Sequence, residues 1–356
     1  MKNHALIPYI YLLLALVLNS CGKSGMRPVD GSDTAAVRQD CNAVYYWKTR
    51  FALSGADTAF LRQHDVGRVY LRLFDVDVQT DPLQGGDPVI PVGTAVFDGT
   101  MPDSLDVVPV VFITVRAMEK MMDLSAEDYY AGRIVTRILN MADYHGLGPL
   151  REVQLDCDWT ESTQQAFYRL CSEARRLLDE REVMLSATIR LHQLRQDPPP
   201  VDRGVLMLYN TGAVTLPGTG NSIIDVDDVR RYLGGNPVRY ALPLDFAYPT
   251  YGWGVWFRGR EFMGLLHHTD YGDATRYVPD GDGMLRVRCE HVLEGHLLRV
   301  GDRIRPESSP FASVLSVKRM VDDAFPDQPH SNILYHLDST NLSKYTPDEI
   351  RSLYRR

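Results

Sequence analysis

From Asn42 onward, short runs of β-branched and aromatic residues alternate with segments whose apolar positions recur at helical spacing. That alternation is the pattern of βαβ units and a parallel sheet. Eight runs read as strands: Ala43–Trp47, Arg68–Phe74, Val107–Val115, Val153–Asp158, Met184–Leu191, Gly204–Asn210, Tyr240–Phe246 and Asn332–Asp338. Helices are expected at Ala56–His64, Ser125–His145, Glu161–Glu180, Val226–Leu233, Pro310–Ala324 and Pro347–Arg356. The last opens with Thr346-Pro347-Asp348-Glu349, a capping box with proline in its first turn. Two stretches break the rhythm, Asp77–Pro102 and Tyr251–Pro306. In the second, Gly254–Leu265 reads as a hairpin turning at Arg258-Gly259, and Leu285–Val292 as a further strand. The fold class this predicts is α/β, a (β/α)8 TIM-like barrel over residues 41–356, with a small antiparallel β insertion at about 251–306 between strand 7 and helix 7. The 356-residue chain has no polar linker long enough to separate one core from another, and a barrel needs roughly 250 residues.

The first 40 residues follow a different pattern. Lys2 precedes an apolar run from Tyr9 to Leu18 that is shorter than the roughly 20 residues needed to span a bilayer. Leu18-Asn19-Ser20 then leads into Cys21, so residues 1–20 read as an export signal. Its resemblance to bacterial lipoprotein signals implies cleavage before Cys21 and lipidation of that thiol. The expected localisation is the cell envelope, with the chain anchored to a membrane through lipid on Cys21. Residues 21–40 lack periodicity and read as a flexible tether. Removing the signal takes the formal charge from −8 to −9, which makes nucleic acid an unsuitable partner.

Chemistry concentrates at the C-terminal ends of the strands, where a barrel of this kind carries its function. The second strand ends in Asp75 and Asp77, the third in Arg116, the fourth in Asp156 and Asp158. Arg190 and His192 follow on the fifth, Tyr209 and Asn210 on the sixth, Asp245 and Tyr248 on the seventh, His336 and Asp338 on the eighth. Packing alone has no reason to gather charge at one end. In Val153–Thr160, strand alternation puts Asp156 and Asp158 on one face, and turns Cys157 and Trp159 toward the helix layer. Cys157 would then meet the inner stripe of the next helix, with Cys171 close by; we expect two buried free thiols, since strand-to-helix packing rarely meets disulfide geometry. Neither HxH nor HExxH spacing occurs, and no cysteine has zinc-site spacing, so no metal and no cofactor are expected.

Four segments resemble the barrel of family 18 glycoside hydrolases, the chitinases and their non-catalytic relatives. Asp156-Cys157-Asp158-Trp159-Thr160 is similar to that family's DxDxE strand except at the terminal acid. Met207-Leu208-Tyr209-Asn210 resembles its Met-x-Tyr-Asp, and Leu242-Pro243-Leu244-Asp245 with Tyr251-Gly252 resembles its Leu-Pro-x-Tyr-Gly segment. The insertion falls where that family often carries an α+β lobe. The wider text, including Leu185–His192 and Tyr335–Ser339, is also similar to uncharacterised barrel lipoproteins of Bacteroidota, a resemblance that implies no activity. The chitinase resemblance implies hydrolysis in which Asp positions the substrate's N-acetyl group and Glu protonates the leaving oxygen. Here Thr160 stands where that Glu would be and Asn210 where an Asp would be, and an alcohol is no general acid near neutral pH.

Two readings stay open on these residues. As a glycoside hydrolase, Asp158 is the general acid with its pKa raised by Asp156, and Asp245 or Asp338 is the opposing carboxylate; Glu161 is a further candidate acid. Asp75, Arg190, His192, Tyr209, Asn210, Tyr248 and His336 would orient the sugar. As a lectin-like module, the same pocket holds a carbohydrate ligand without cleaving it. Trp47, Trp253 and Trp256 are available for stacking, whereas the parity of Trp159 points it into the core.

Overall fold

The computed structural model describes residues 40–80, 85–235, 238–267 and 270–355. The expected signal, Cys21 and nearly all of the tether lie outside them. Eight parallel strands form the central sheet: β1 (Asn42–Tyr46), β2 (Val66–Val78), β3 (Asp106–Ile113), β4 (Glu152–Cys157), β5 (Met184–Arg190), β6 (Arg203–Met207), β7 (Leu244–Pro249) and β8 (Asn332–Tyr335). Neighbours in sequence pair in space, and β1 pairs with both β8 and β2, so the sheet closes on itself. Every residue of β4 and of β7 is buried, as required of strands with side chains packed inside the barrel and helices packed outside. This is a (β/α)8 barrel.

Helices α1 (Gly55–Gln63), α2 (Val115–Asp123), α3 (Glu127–His145), α4 (Gln164–Asp179), α5 (Val226–Leu233), α6 (Phe311–Ala324), α7 (Ser339–Leu342) and α8 (Pro347–Tyr354) form the outer layer. Their starts follow local chemistry. Ser54 with Asp57 and Thr346 with Glu349 complete capping boxes, and Asp225 and Asp338 accept amide hydrogen bonds at the starts of α5 and α7. Trp159 and Cys157 lie on the outer face of the β4 end at 1% exposure, under α4. Cys157 and Cys171 are buried free thiols.

The structure departs from the sequence expectation at two elements. The third strand stops at Ile113, because the Thr114 hydroxyl accepts the Ala117 amide and starts α2, so an extra helix precedes α3. The β5–β6 connection, where no helix is expected, carries a 3-10 turn, Leu191–Arg195, before Pro198-Pro199-Pro200. The seventh strand is Leu244–Pro249 rather than Tyr240–Phe246, starting four residues and ending three residues further toward the C-terminus. The shift matters because it moves Asp245 from the C-terminal end of its strand to the N-terminal end.

The insertion after β7 is a five-stranded antiparallel sheet, ordered Glu261–Leu266, Trp253–Arg258, Arg303–Glu307, Leu285–Val287 and Tyr277–Pro279, with a second hairpin of His291–Leu293 and His296–Leu298. It has its own small core of Trp256, Leu266, Tyr277, Val287, Leu298 and Ile304. The first hairpin turns at Gly259, whose φ of +63° suits glycine. Trp256, an expected stacking residue, is buried in this core and donates its indole N–H to Asp302 at 2.9 Å.

Asp245 is wholly buried toward the opposite end of the barrel from the mouth. It accepts the Ser331 amide at 2.7 Å and faces Arg203 at 3.3 Å. A carboxylate so placed neutralises a guanidinium beneath the barrel floor, and removing one member of a buried pair leaves the other charge uncompensated. We therefore expect Asp245→Ala to lower the unfolding free energy in urea by about 3 to 5 kcal/mol. A loss under about 1 kcal/mol would mean that Arg203 and the Ser331 amide find other partners.

Candidate functional site

The site is set by the pairing of β4 with β5. Gln154 lies opposite Ser186 and Leu155 opposite Ala187. Inward-facing residues two apart on each strand therefore meet as rungs: the Gln154 amide with Ser186 at 3.4 Å, the Thr188 hydroxyl donating to Asp156 at 2.6 Å, and Arg190 with Asp158. Below them, Tyr45 donates across the barrel to Gln154 at 2.6 Å. The rungs climb from the sealed interior to the mouth.

Asp156 and Asp158 do share a face, but their environments differ. Asp156 is 8% exposed, and burial, then the charge of Asp158, pushes its carboxyl up to about 6 against the opposing effects of Thr188 and Arg190. Asp158 lies at the rim, its side chain 42% exposed, and both of its oxygens are engaged by Arg190: Nε to Oδ1 at 2.5 Å and Nη2 to Oδ2 at 2.7 Å. A bidentate guanidinium grip of this kind fixes both groups in one plane. Burial works against the charge on Arg190, but the hydrogen bonds and charge of Asp158 outweigh it and hold the guanidinium protonated.

Aromatic rings floor the mouth. Tyr335 stacks on Tyr209 at 4.8 Å and lies 5.5 Å from Tyr45, 5.6 Å from Trp47 and 5.6 Å from Tyr251. Tyr251 donates its hydroxyl to Asn210 Oδ1 at 2.6 Å and meets the Trp253 ring edge-on at 5.2 Å. Trp47, Tyr335 and Trp253 are half-buried, so their surfaces remain reachable from solvent. Burial pushes the hydroxyls of Tyr209, Tyr251 and Tyr335 well above the usual range, so these rings are neutral.

The remaining expected site residues divide. Asp75 is half-buried and held by Arg72 through two hydrogen bonds, and the Arg72 guanidinium lies 6.0 Å from the Trp47 ring. Asp338 stays near the rim but caps α7 and pairs with Lys48 at 3.1 Å; burial would raise it, yet Lys48 and the Asn341 amide hold it below the usual carboxylate range. His336 follows β8 half-buried, and burial keeps it below the usual histidine range. His192 is exposed on the 3-10 turn, and burial of its ring and then the neighbouring Arg190 favour the neutral form. Asn210 is exposed at a φ of +53°. Two residues are not brought to the mouth. Asp245 is at the other end, and Tyr248 is fully buried, its hydroxyl raised by burial and then by Asp322 of α6, which places it under the helix layer. Thr160 is on the exposed turn after β4, engaged with Ser162 and Thr163, and Glu161 is exposed beside it.

Sequence reasoning passed over Arg72, Thr188, Tyr251 and Tyr335 as site residues. Thr188 was accessible from parity, being two residues before Arg190. Arg72 was not, because residues three apart on a regular strand face opposite ways; the register irregularity between Arg72 and Phe74 is what brings Arg72 and Asp75 together.

No protein-family model matches the chain, and no curated protein matches it. Among solved structures, the fold is similar to that of a chitinase from Chromobacterium violaceum, with a TM-score of 0.51 and 13% identity over 89% of this chain and 100% of that one. It is also similar to a class V chitinase from Nicotiana tobaccum, with a TM-score of 0.51 and 10% identity over 88% and 98%. A mutant of the latter was solved in complex with NAG4 and matches at a TM-score of 0.50 and 11% identity over 88% and 98%. At these identities the likeness is one of fold: the chain has the barrel architecture of chitinases.

The raised carboxyl of Asp156 has a consequence for stability. At a pH below the ordinary aspartate value of 3.8 it is protonated in both folded and unfolded chains. Between that value and about 6 the unfolded chain ionises first, so this group's contribution to stability falls as pH rises, reaching a full cost on the order of 3 kcal/mol above it. Asp156→Asn should therefore be more stable than wild type at neutral pH by up to that amount and near parity at about pH 4. Urea unfolding at several pH values checks this, and a gap that does not widen with pH contradicts it.

Proposed function

We propose that this barrel binds a neutral glycan at its C-terminal mouth and does not hydrolyse it by the chitinase route. The observation that carries the reading is the Asp158–Arg190 grip: the carboxylate expected as general acid has both oxygens committed to a guanidinium. A proton donor must present a protonated oxygen to the leaving group, and Asp158 would have to abandon Arg190 to do so. Neither carboxylate expected to oppose it is available, since Asp245 is below the floor and Asp338 is spent on Lys48 and the start of α7. Thr160 stands where the family's acid would be. The half-buried rings of Trp47, Tyr335 and Trp253 suit the apolar faces of a pyranose, and Asn210, Arg190 and Asp75 suit its hydroxyls.

A second reading, hydrolysis, is favoured by one observation. A carboxyl at about 6 is partly protonated near neutrality, as a general acid should be, and that carboxyl is Asp156. In this reading Asp156, not Asp158, carries the proton. We also propose that the protein works at the cell envelope, anchored through lipid on Cys21; the support is the apolar run Tyr9–Leu18 followed by Asn19-Ser20-Cys21.

Since a structural neighbour was solved with NAG4, chitotetraose is the first probe, followed by peptidoglycan fragments. We expect calorimetric binding by wild type with no product detectable by mass spectrometry, and on the order of tenfold weaker binding by Arg190→Ala, the loss of roughly one charge-assisted contact. Product release that disappears in Asp156→Asn establishes the hydrolase reading instead, and release that disappears only in Asp158→Asn restores Asp158 as the acid.

A further inference from the structure

A second buried ion pair lies outside the mouth, behind its rim. Arg305 and Glu307, at 4% and 5% exposure, lie at the end of the insertion strand Arg303–Glu307 and bond Nε to Oε1 at 2.6 Å. Charges buried this deeply are expensive unless every donor and acceptor is used, and here they are used on the rim. Glu307 Oε2 accepts the Trp253 indole N–H at 2.7 Å and the Ser222 hydroxyl at 2.5 Å. Arg305 donates to the carbonyls of Leu216 at 2.7 Å and Val214 at 3.1 Å. Residues 211–224 between β6 and α5 carry no helix or strand, so these bonds hold a segment with little backbone pairing of its own.

We propose that Glu307 is a positioning residue of the glycan site: its carboxylate, neutralised by Arg305, fixes the plane of the Trp253 ring and pins the 211–224 connection beside it. The inference rests on the glycan reading of the mouth. Trp253 closes a row of rings that runs from Trp47 through Tyr335 and Tyr251 in centroid steps of 5.6, 5.6 and 5.2 Å. A ring with one polar atom tethered to a charged acceptor has lost the freedom to turn, so the entropic cost of ordering it is met before ligand arrives. The insertion thus supplies one wall of the site through a contact made behind it.

The test is a double-mutant cycle on chitotetraose affinity in the full chain. Glu307→Gln withdraws the charged acceptor, and Trp253→Phe keeps a ring but removes the N–H. Each is expected to weaken binding on the order of threefold to tenfold, and the double variant no further than the weaker single, because both remove the same constraint. If Glu307→Gln does not fold, Glu307→Asp replaces it in the cycle, retaining the charge for Arg305 while drawing back from the indole. Tryptophan emission should shift in the Glu307 variant but not when Trp253 is already Phe. Costs that add, or a single variant that binds as wild type does, overturn the positioning role while leaving the glycan reading intact. A wild-type protein that binds no oligosaccharide overturns both.

Discussion

The register between β4 and β5 is the constraint on which the mouth depends. With Gln154 opposite Ser186, the inward residues of the two strands pair in succession, and each rung satisfies a polar group that the low-dielectric interior would otherwise penalise. A slip of one residue would turn Asp156 and Asp158 into the helix layer and bring Cys157 and Trp159 inside. The deepest rung is tied to the far wall by Tyr45, so the ladder is braced across the barrel as well as along it.

Depth along that ladder separates two chemically identical side chains. Asp156 has one hydroxyl partner and little water, and its charged form is disfavoured; Asp158 has a full guanidinium and open solvent. The same contrast of environments lets paired carboxylates take different roles elsewhere. Here the exposed one is committed to a cation, and the one with a near-neutral titration is buried. On the proposed reading, such a mouth holds a neutral ligand and does not move protons to it.

Much of this was legible in the residues. The alternation of strand and helix signals, the inward parity of Asp156 and Asp158, the outward turn of Trp159 and the capping box at Thr346 all follow from local periodicities of two and 3.6. What misled was equally local. Tyr240–Phe246 reads as a strand by composition, but Pro243 precedes the true strand, and the offset carried Asp245 to the wrong end of the barrel. Val115 extends an apolar β-branched run, yet Thr114 is a better helix cap than strand residue once its hydroxyl finds Ala117. Arg72 was hidden because a register irregularity rewrites parity at one point.

The sequence by itself determined the class of barrel, the position of the insertion, and the pairing of carboxylates on one face of the fourth strand, because each depends on spacing within a single segment. Only the tertiary structure decided which cation grips Asp158, which ring stacks on Tyr209, and that Glu307 stands behind Trp253. Those contacts join residues 32, 126 and 54 positions apart in the chain. They are set by closure of the sheet and by the return of the insertion onto its rim, and no local pattern of polar and apolar residues encodes them.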